Sequence, residues 1–437
     1  MSQVKPQVLK GFRDYLPEVM APREQMLHTV AAVFRSFGFA PLATPALEYA
    51  EVILGKYGAE GDKLLYRFRD NGDRDVALRY DLTVPLARVM GQHKQLLKPF
   101  RRYQIAPVWR AEKPGKGRFR EFSQCDVDIV GSDSLLADFE CMQVGVAVLQ
   151  ALDIQGFVMR VNDRRVLDGL MALIGVNTID MKHEVLRSID KLPKIGWDAV
   201  RRELESKSEF TESQFEAIFR FLNGGLADLD DTIVDMSVAG PGIESLNTLF
   251  SWATELGIQQ YFEVDLSIAR GLDYYTSTIY ETFLTDLPEL GSVMSGGRYD
   301  GLLSLFSKED MPAVGISLGV DRLLAGLQEL NVLPKSQASP EVFVTVFNSE
   351  VSAYAVRVAS ALRLAGFRVQ LHLQPGQKLG KQFKAASRSG AEVVVIAGPE
   401  EMASECVSIK RLSTGEQHDG VSLNSAASVV SNWVSKT

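Results

Sequence analysis

Hydrophobic and polar positions recur with different periods along the chain, and the changes of period divide it. From Pro22 to Phe37 the apolar residues Met26, Leu27, Val30, Val33, Phe34 and Phe37 return at helical spacing, which predicts an amphipathic helix that Gly38 ends. The following FAPLATPALEY is predicted to be extended, because Pro41 and Pro45 disfavour helix around them. Between Phe100 and Gly131 the period becomes two. FRRYQIAPVWR and REFSQCDVDIVG read as the strands of a long antiparallel hairpin whose tip, AEKPGKGRF, is basic and glycine-rich. Helical spacing and charge return over about 163–251, as in HEVLRSIDKL and SQFEAIFRFL, and this stretch reads as an insertion between two strand-rich blocks. Strand signals resume at YFEVDLSI and STIYETFL, and PAVGISLGVDRLLAGLQEL runs from an apolar segment into a helix. These blocks form a first domain over 1–330. Two prolines among small polar residues mark 331–340 as a linker. Beyond it come EVFVTVF, a helix from Val351 to Ala365 stopped by Gly366, FRVQLHL, the basic helix KLGKQFKAASRSG and AEVVVIAG. Alternating strand and helix predict a small α/β domain over 341–437 with a largely buried sheet.

The totals narrow the class. A chain of 437 residues exceeds one ordinary core, and 46% hydrophobic with 23% charged residues excludes a disordered polymer. Cys125, Cys141 and Cys406 are odd in number and far apart, so neither a disulfide framework nor a zinc ribbon is expected and a reducing, cytoplasmic setting fits. The N-terminal MSQVKPQVLKGFRDYL lacks the apolar core of a signal peptide. No apolar run approaches the roughly 20 residues of a membrane span, so a soluble protein is expected. At a net charge of -8, a nucleic-acid partner would need a local basic surface. The segment from Glu341 onward carries 10 Lys and Arg against 8 Asp and Glu, unlike the acidic remainder.

Candidate chemistry is confined to a few places. There is no G-x-x-x-x-G-K-[ST] loop, no G-x-S-x-G elbow, and no pair of the five histidines at metal-ligand spacing, so no protein metal site is expected. In the second hairpin strand, Gln124, Asp126 and Asp128 share one face, with Cys125, Val127 and Ile129 on the other. By periodicity alone this is equally a solvated sheet face. Arg110, Arg118 and Arg120 stand near that acidic row, an arrangement that could hold a zwitterion or an anion. LRYDLTVPLAR places Asp81 and Thr83 before Pro85, where Asp81 also reads as a helix cap. Gly296 and Gly297 permit close backbone approach, and Arg322 at a helix start gains nothing from the helix dipole. ARGLDYYTS crowds Arg270, Asp273, Tyr274 and Tyr275 after a strand, which is also compatible with a salt-bridged strand end.

Together these segments resemble a known family. FRRYQIAPVWRAEKPGKGRFREFSQCDVDIVG resembles motif 2 of the class II aminoacyl-tRNA synthetases, and GISLGVDRLL resembles motif 3 with its arginine at Arg322. ARGLDYYTS and SGGRYDGLL are similar to the two signature segments of histidyl-tRNA synthetases, and the likeness runs from about Gly11 to the C-terminus. The resemblance implies an α+β fold: a six-stranded antiparallel sheet flanked by helices, a helical insertion, and a C-terminal α/β anticodon-binding domain. It implies a homodimer that uses ATP and Mg2+ to convert L-histidine to histidyl-adenylate, then charges tRNA(His).

By the same resemblance Arg110 holds the α-phosphate and the substrate carboxylate, Arg118 the terminal phosphates, and Arg322 the other side of the nucleotide. Phe122 stacks on adenine, with Glu112 at the base edge. Arg270 takes the catalytic position at the α-phosphate, while Tyr274 and Tyr275 close the histidine pocket. Asp81 and Thr83 take the α-ammonium group; Gln124, Asp128 and the phenols pair with the imidazole, so that an apolar competitor leaves them unpaired. The RYDLT aspartate and Asp128 match the eukaryote-like branch, where many bacterial members have glutamate; Ser295 and Asp321 stand where alanine and glutamate are usual. Lys378, Lys381, Lys384 and Arg388 could meet tRNA phosphates, although without the family context they read as a solvated helix face. Two rival readings share the fold. One is a regulatory subunit like that of ATP phosphoribosyltransferase, a type that tends to lose the signature residues and the C-terminal domain. The other is an active paralogue that modifies something other than tRNA.

Overall fold

The period-two hairpin is the spine of the larger unit. In this computed structural model the described residues are all but 1–3, 56–60, 116, 190, 208–209, 269–274, 331, 333–338 and 435–437. One unit comprises Met1–Asp14 and Arg23–Leu333, the other Tyr15–Pro22 and Pro334–Thr437. The strands of the first are β1 (Ala40–Pro41), β2 (Leu47–Tyr49), β3 (Arg67–Arg69), β4 (Asp75–Leu78), β5 (Phe100–Trp109), β6 (Glu121–Val130), β7 (Phe157–Asp163), β8 (Phe262–Val264), β9 (Thr278–Leu284), β10 (Met294–Arg298) and β11 (Ala313–Gly319). They build an eight-stranded sheet in the order β1-β5-β6-β11-β10-β9-β7-β8 and a small sheet β2-β4-β3. From β5 to β7 every pairing is antiparallel, which gives the expected six-stranded core. The difference lies at the rims, where β1 joins β5 and β8 joins β7 in parallel. Elements of two and three residues are too short to carry a readable period.

One face of this sheet is apolar. Cys125, Val127 and Ile129 are buried on it, beneath the helix Leu135–Ala151, whose N-cap Ser134 Oγ accepts from Leu136 N at 3.3 Å. Gly145 lets that helix lie close: a Cβ there would fall 2.8 Å from Met159 Cε and 2.9 Å from Ile316 Cδ1. The helix is fastened to β10 by the buried ion pair between Asp138 and Arg298, which gives the arginine of SGGRYDGLL a structural role.

Two expectations shift. The first helix spans Pro17–Ser36, so Pro17 rather than Pro22 takes the opening position and Pro22 lies inside. Between β7 and β8 the helical stretch continues to Glu255.

In the second unit, β12 (Val342–Val344), β13 (Val369–Leu371), β14 (Val393–Ile396), β15 (Cys406–Arg411) and β16 (Gln417–Ser422) pair in the order β13-β12-β14-β15-β16. The first three strands of that order are parallel and the last two antiparallel. Sequence periodicity finds β12 and β14 because VFV and VVVI are buried apolar runs, and it finds the half-buried β13 by its place between two helices. It misses β16, whose QHDGVS is polar and almost wholly exposed.

Candidate active site

Strand alternation and register bring the polar face of the large sheet together. Asp128 lies opposite Arg102 of β5 and Gly315 of β11; Asp126 lies opposite Gln104 and Ser317; Gln124 lies opposite Ala106 and Gly319. Gln124, Asp126 and Asp128 are only 8%, 2% and 3% exposed, which excludes the solvated-face reading. Charges buried in this way need partners. Asp128 has two: Arg102, itself fully buried, at 2.7 Å, and the hydroxyl of Tyr299. Only glycine fits beside this carboxylate, since a Cβ on Gly315 would stand 2.1 Å from Asp128 Oδ1. Burial holds the Asp128 carboxyl above its ordinary range, against the opposing pull of Arg102 and Tyr299.

Asp81 stands one position before Leu82, the N-cap of the helix Thr83–Gln92, and its buried carboxylate accepts from Val84 N at 3.0 Å. Tyr275 stands in the same neighbourhood. Loss of water around its hydroxyl raises its pKa, and the charges of Asp128, Asp126 and Asp81 raise it further. Arg270, Asp273 and Tyr274 lie outside the described residues.

Toward the hairpin mouth the same face opens into a cleft lined by Arg110, Glu112, Arg118, Phe122, Gln124, Ser317, Asp321 and Arg322, with the backbone and side chains of 292–295 opposite. Arg110 donates from Nε to the Tyr80 carbonyl at 3.1 Å, and its guanidinium carbon sits 4.2 Å from the Tyr80 ring centre and 5.2 Å from that of Phe122. Arg322 donates to the Ser292 carbonyl. Burial lowers the pKa of Arg322 and the charges of Arg118 and Arg110 lower it further, with Glu112 and Glu281 opposing. Arg110 and Arg118 thus repel Arg322 within one cleft, an arrangement with the chemistry to hold a polyanion, which would convert the repulsion into attraction.

Sequence reading missed what holds Arg322 in place. The neighbouring Asp321, almost fully buried, accepts from Arg13 Nη2 at 2.5 Å and from Ser123 N at 2.8 Å. Arg13 in turn lies 3.8 Å over the Phe119 ring. One carboxylate thus ties the helix Val320–Glu329 to the hairpin and to the N-terminal segment. Asp321→Asn is expected to weaken binding of inorganic triphosphate in this cleft by about 10- to 100-fold, the range set by a charge-assisted hydrogen bond, with partial rescue by Asp321→Glu. Calorimetric titration with triphosphate, beside a thermal melt of each variant, checks this; a loss of affinity that merely follows a loss of folded protein, with no rescue by glutamate, would make Asp321 a general packing residue. Asp126 and Arg102 share the strand parity of the acidic row and could have been found from it. Tyr299 and Ser317 carry no such signal.

In the smaller unit, Lys381, Lys384 and Arg388 line a groove with Gln370, His372, Gln374 and Gln377, and Lys378 immediately precedes their helix, Leu379–Ser389. Among the described residues no group of three or more His, Cys, Asp or Glu could cage a metal ion.

An antiparallel sheet with an arginine-lined cleft at one end of its polar face and buried carboxylates at the other is the architecture of a class II aminoacyl-tRNA synthetase. The histidyl-tRNA synthetase family matches residues 11–323, and an anticodon binding domain matches 341–433. The histidine–tRNA ligase of Rhodopirellula baltica is 45% identical over 424 residues, 95% of each chain, and that of Helicobacter pylori strain G27 is 41% identical over 438 residues, 98% of each. The crystal structure of histidyl-tRNA synthetase from Nostoc sp. PCC 7120 superposes with a TM-score of 0.85 at 33% identity, covering 98% of this chain and 100% of that one. The chain belongs to the histidyl-tRNA synthetase family.

Proposed function

We propose that this chain is a histidine–tRNA ligase working in two steps on the polar face of its large sheet. The histidine carboxylate attacks the α-phosphorus of ATP, the bond to the bridging oxygen breaks and pyrophosphate leaves. A hydroxyl of the 3′-terminal ribose of tRNA(His) then attacks the activated carbonyl and AMP leaves. The observation that carries this reading is the gathering of Arg110, Arg118 and Arg322 in one cleft beside a buried acidic row. Such chemistry needs fixed positive charge and alignment rather than a covalent intermediate on the protein.

In this reading Arg110 holds the α-phosphate and the histidine carboxylate, Arg118 and Arg322 the rest of the triphosphate, and Phe122 and Glu112 the adenine. Arg270 acts at the α-phosphate. Asp81 and Thr83 hold the amino group, and Gln124, Asp128, Tyr274 and Tyr275 surround the imidazole. Glu112, the glutamate that lines the arginine cleft, would be the carboxylate at hand for Mg2+, an ion that uses one or two carboxylates and takes its other ligands from phosphate and water. The ion would supply further positive charge to the phosphates.

The catalytic part extends over 1–330 with its helical insertion at 163–251, followed by a linker at 331–340 and an anticodon-binding part at 341–437. Lys381, Lys384 and Arg388 on their groove are the candidate tRNA contacts. The anticodon-binding match argues against a regulatory subunit. The working form is a homodimer, as the family resemblance implies. It works in the cytoplasm, a reading supported by three free cysteines and by the lack, among the described residues, of any helix long and apolar enough to cross a membrane. Charging of purified tRNA(His) with labelled histidine tests the function. Acid-stable histidyl-tRNA is the expected product, and adenylate formation without charging would favour a paralogue with another acceptor.

A further inference from the structure

We propose that Asp126 binds the substrate directly: its carboxylate receives the α-ammonium group of the amino acid and so makes the site selective for a free α-amine. The proposal rests on the reading of this sheet face as the amino-acid site and adds a residue to it.

The first ground is an excess of acceptors. Asp126 lies on β6 between Gln104 of β5 and Ser317 of β11. Gln124 donates to Ser317 Oγ at 2.7 Å, and the Ser317 hydroxyl serves Asp126, so one Asp126 oxygen is tied to a residue that lines the cleft. The Oδ1 of Asp126 and the Oε1 atoms of Gln104 and Gln124 are buried and accept no hydrogen bond among the described residues. All three side chains are at least nine-tenths buried and occupy adjoining positions of one sheet face. Three buried acceptors without donors are costly unless a ligand supplies the donors. An ammonium group carries three N–H donors and a full charge; a neutral imidazole carries one donor and none.

The second ground is the charge balance. Asp81 and Asp128 add their fields to that of Asp126. Against these three carboxylates stand, among the described residues, two guanidiniums. Arg102 pairs with Asp128, and Arg79 feels Asp126 but is held by the carbonyls of Thr44, Pro45 and Pro107. Glu48, the other carboxylate near Arg79, is already paired with Arg88 at 2.6 Å. Among the described residues the cluster is left with one negative charge in excess, which a proton or a cation from the ligand can balance. Of the phenols facing the cluster, Tyr299 donates to Asp128 and Tyr275 is held in its neutral form. A proton can supply that balance: burial, opposed by Arg102 and reinforced by Asp128, lifts the Asp126 carboxyl to about 7. When an ammonium group arrives, the carboxyl gives its proton to solvent and the charge is balanced by the ligand.

The test is calorimetric titration of the full chain at pH 7, in two buffers of different ionisation enthalpy, with L-histidine and with 3-(imidazol-4-yl)propionate, which lacks the amine. The unaltered protein is expected to release a fraction of a proton on binding histidine and none on binding the analogue. Asp126→Asn is expected to lose about 10- to 100-fold in histidine affinity, while the analogue changes less than about threefold. Equal losses for both ligands, or no loss for histidine, would overturn the assignment. Equal proton release with both ligands would overturn it from the unaltered protein alone, should the variant fold poorly. If the unaltered protein binds no histidine, the amino-acid reading of the face falls first and this assignment with it.

Discussion

Arg110→Ala is expected to slow adenylate formation by about 100- to 1,000-fold, the loss usual for removing a fixed charge from the point where a transition state becomes more negative. The side chain is prepared for that task. Its Nε is committed to the Tyr80 carbonyl and its guanidinium lies over the rings of Tyr80 and Phe122, which, among the described residues, leaves the terminal nitrogens for an anion in the cleft. Arg110→Lys keeps the charge without the planar fork and should recover only part of the rate. Single-turnover formation of adenylate, with histidine affinity measured separately, checks the claim. A rate within about threefold of the unaltered protein would remove Arg110 from the chemistry.

Arg102→Leu is expected to cost about 3–5 kcal/mol of unfolding free energy at neutral pH, because it leaves Asp128 buried without its counter-charge. The sign of the pH dependence follows. Burial already raises the Asp128 pKa with Arg102 present, and losing the cation raises it further. A carboxyl whose folded pKa lies above its unfolded value favours folding only while protonated. The destabilisation should therefore be smallest below about pH 4, the unfolded carboxyl range, and grow as pH rises. Replacing Arg102 and Asp128 together with apolar residues should restore much of the stability but not histidine binding. Denaturant melts at several pH values decide this; a loss that does not vary with pH would show that the ion pair is not its source.

The reach of sequence reasoning depended on how far apart the interacting residues lie. The hairpin β5–β6 was legible because ten residues on each strand alternate and pair one to one. Parity alone then placed Gln124, Asp126 and Asp128 on one face. Whether that face was wet or buried was not legible, because its cover comes from chain far away: Tyr299 reaches Asp128 across 171 positions, and Gln124 meets Ser317 across 193. Arg13 and Asp321 meet across 308 positions, and no local pattern records such a contact. The motif arginines were found by resemblance. What fixes them was not, since the Tyr80 and Ser292 carbonyls that receive Arg110 and Arg322 belong to backbone, which every residue carries whatever its side chain.

The central claim is that one sheet face holds a triphosphate at its arginine end and histidine at its acidic end. Exchange of labelled pyrophosphate into ATP, measured with each amino acid in turn, tests it most directly. The account predicts exchange with L-histidine alone and its loss in Arg110→Ala. Exchange that ignores histidine, or that proceeds equally well with another amino acid, would contradict it.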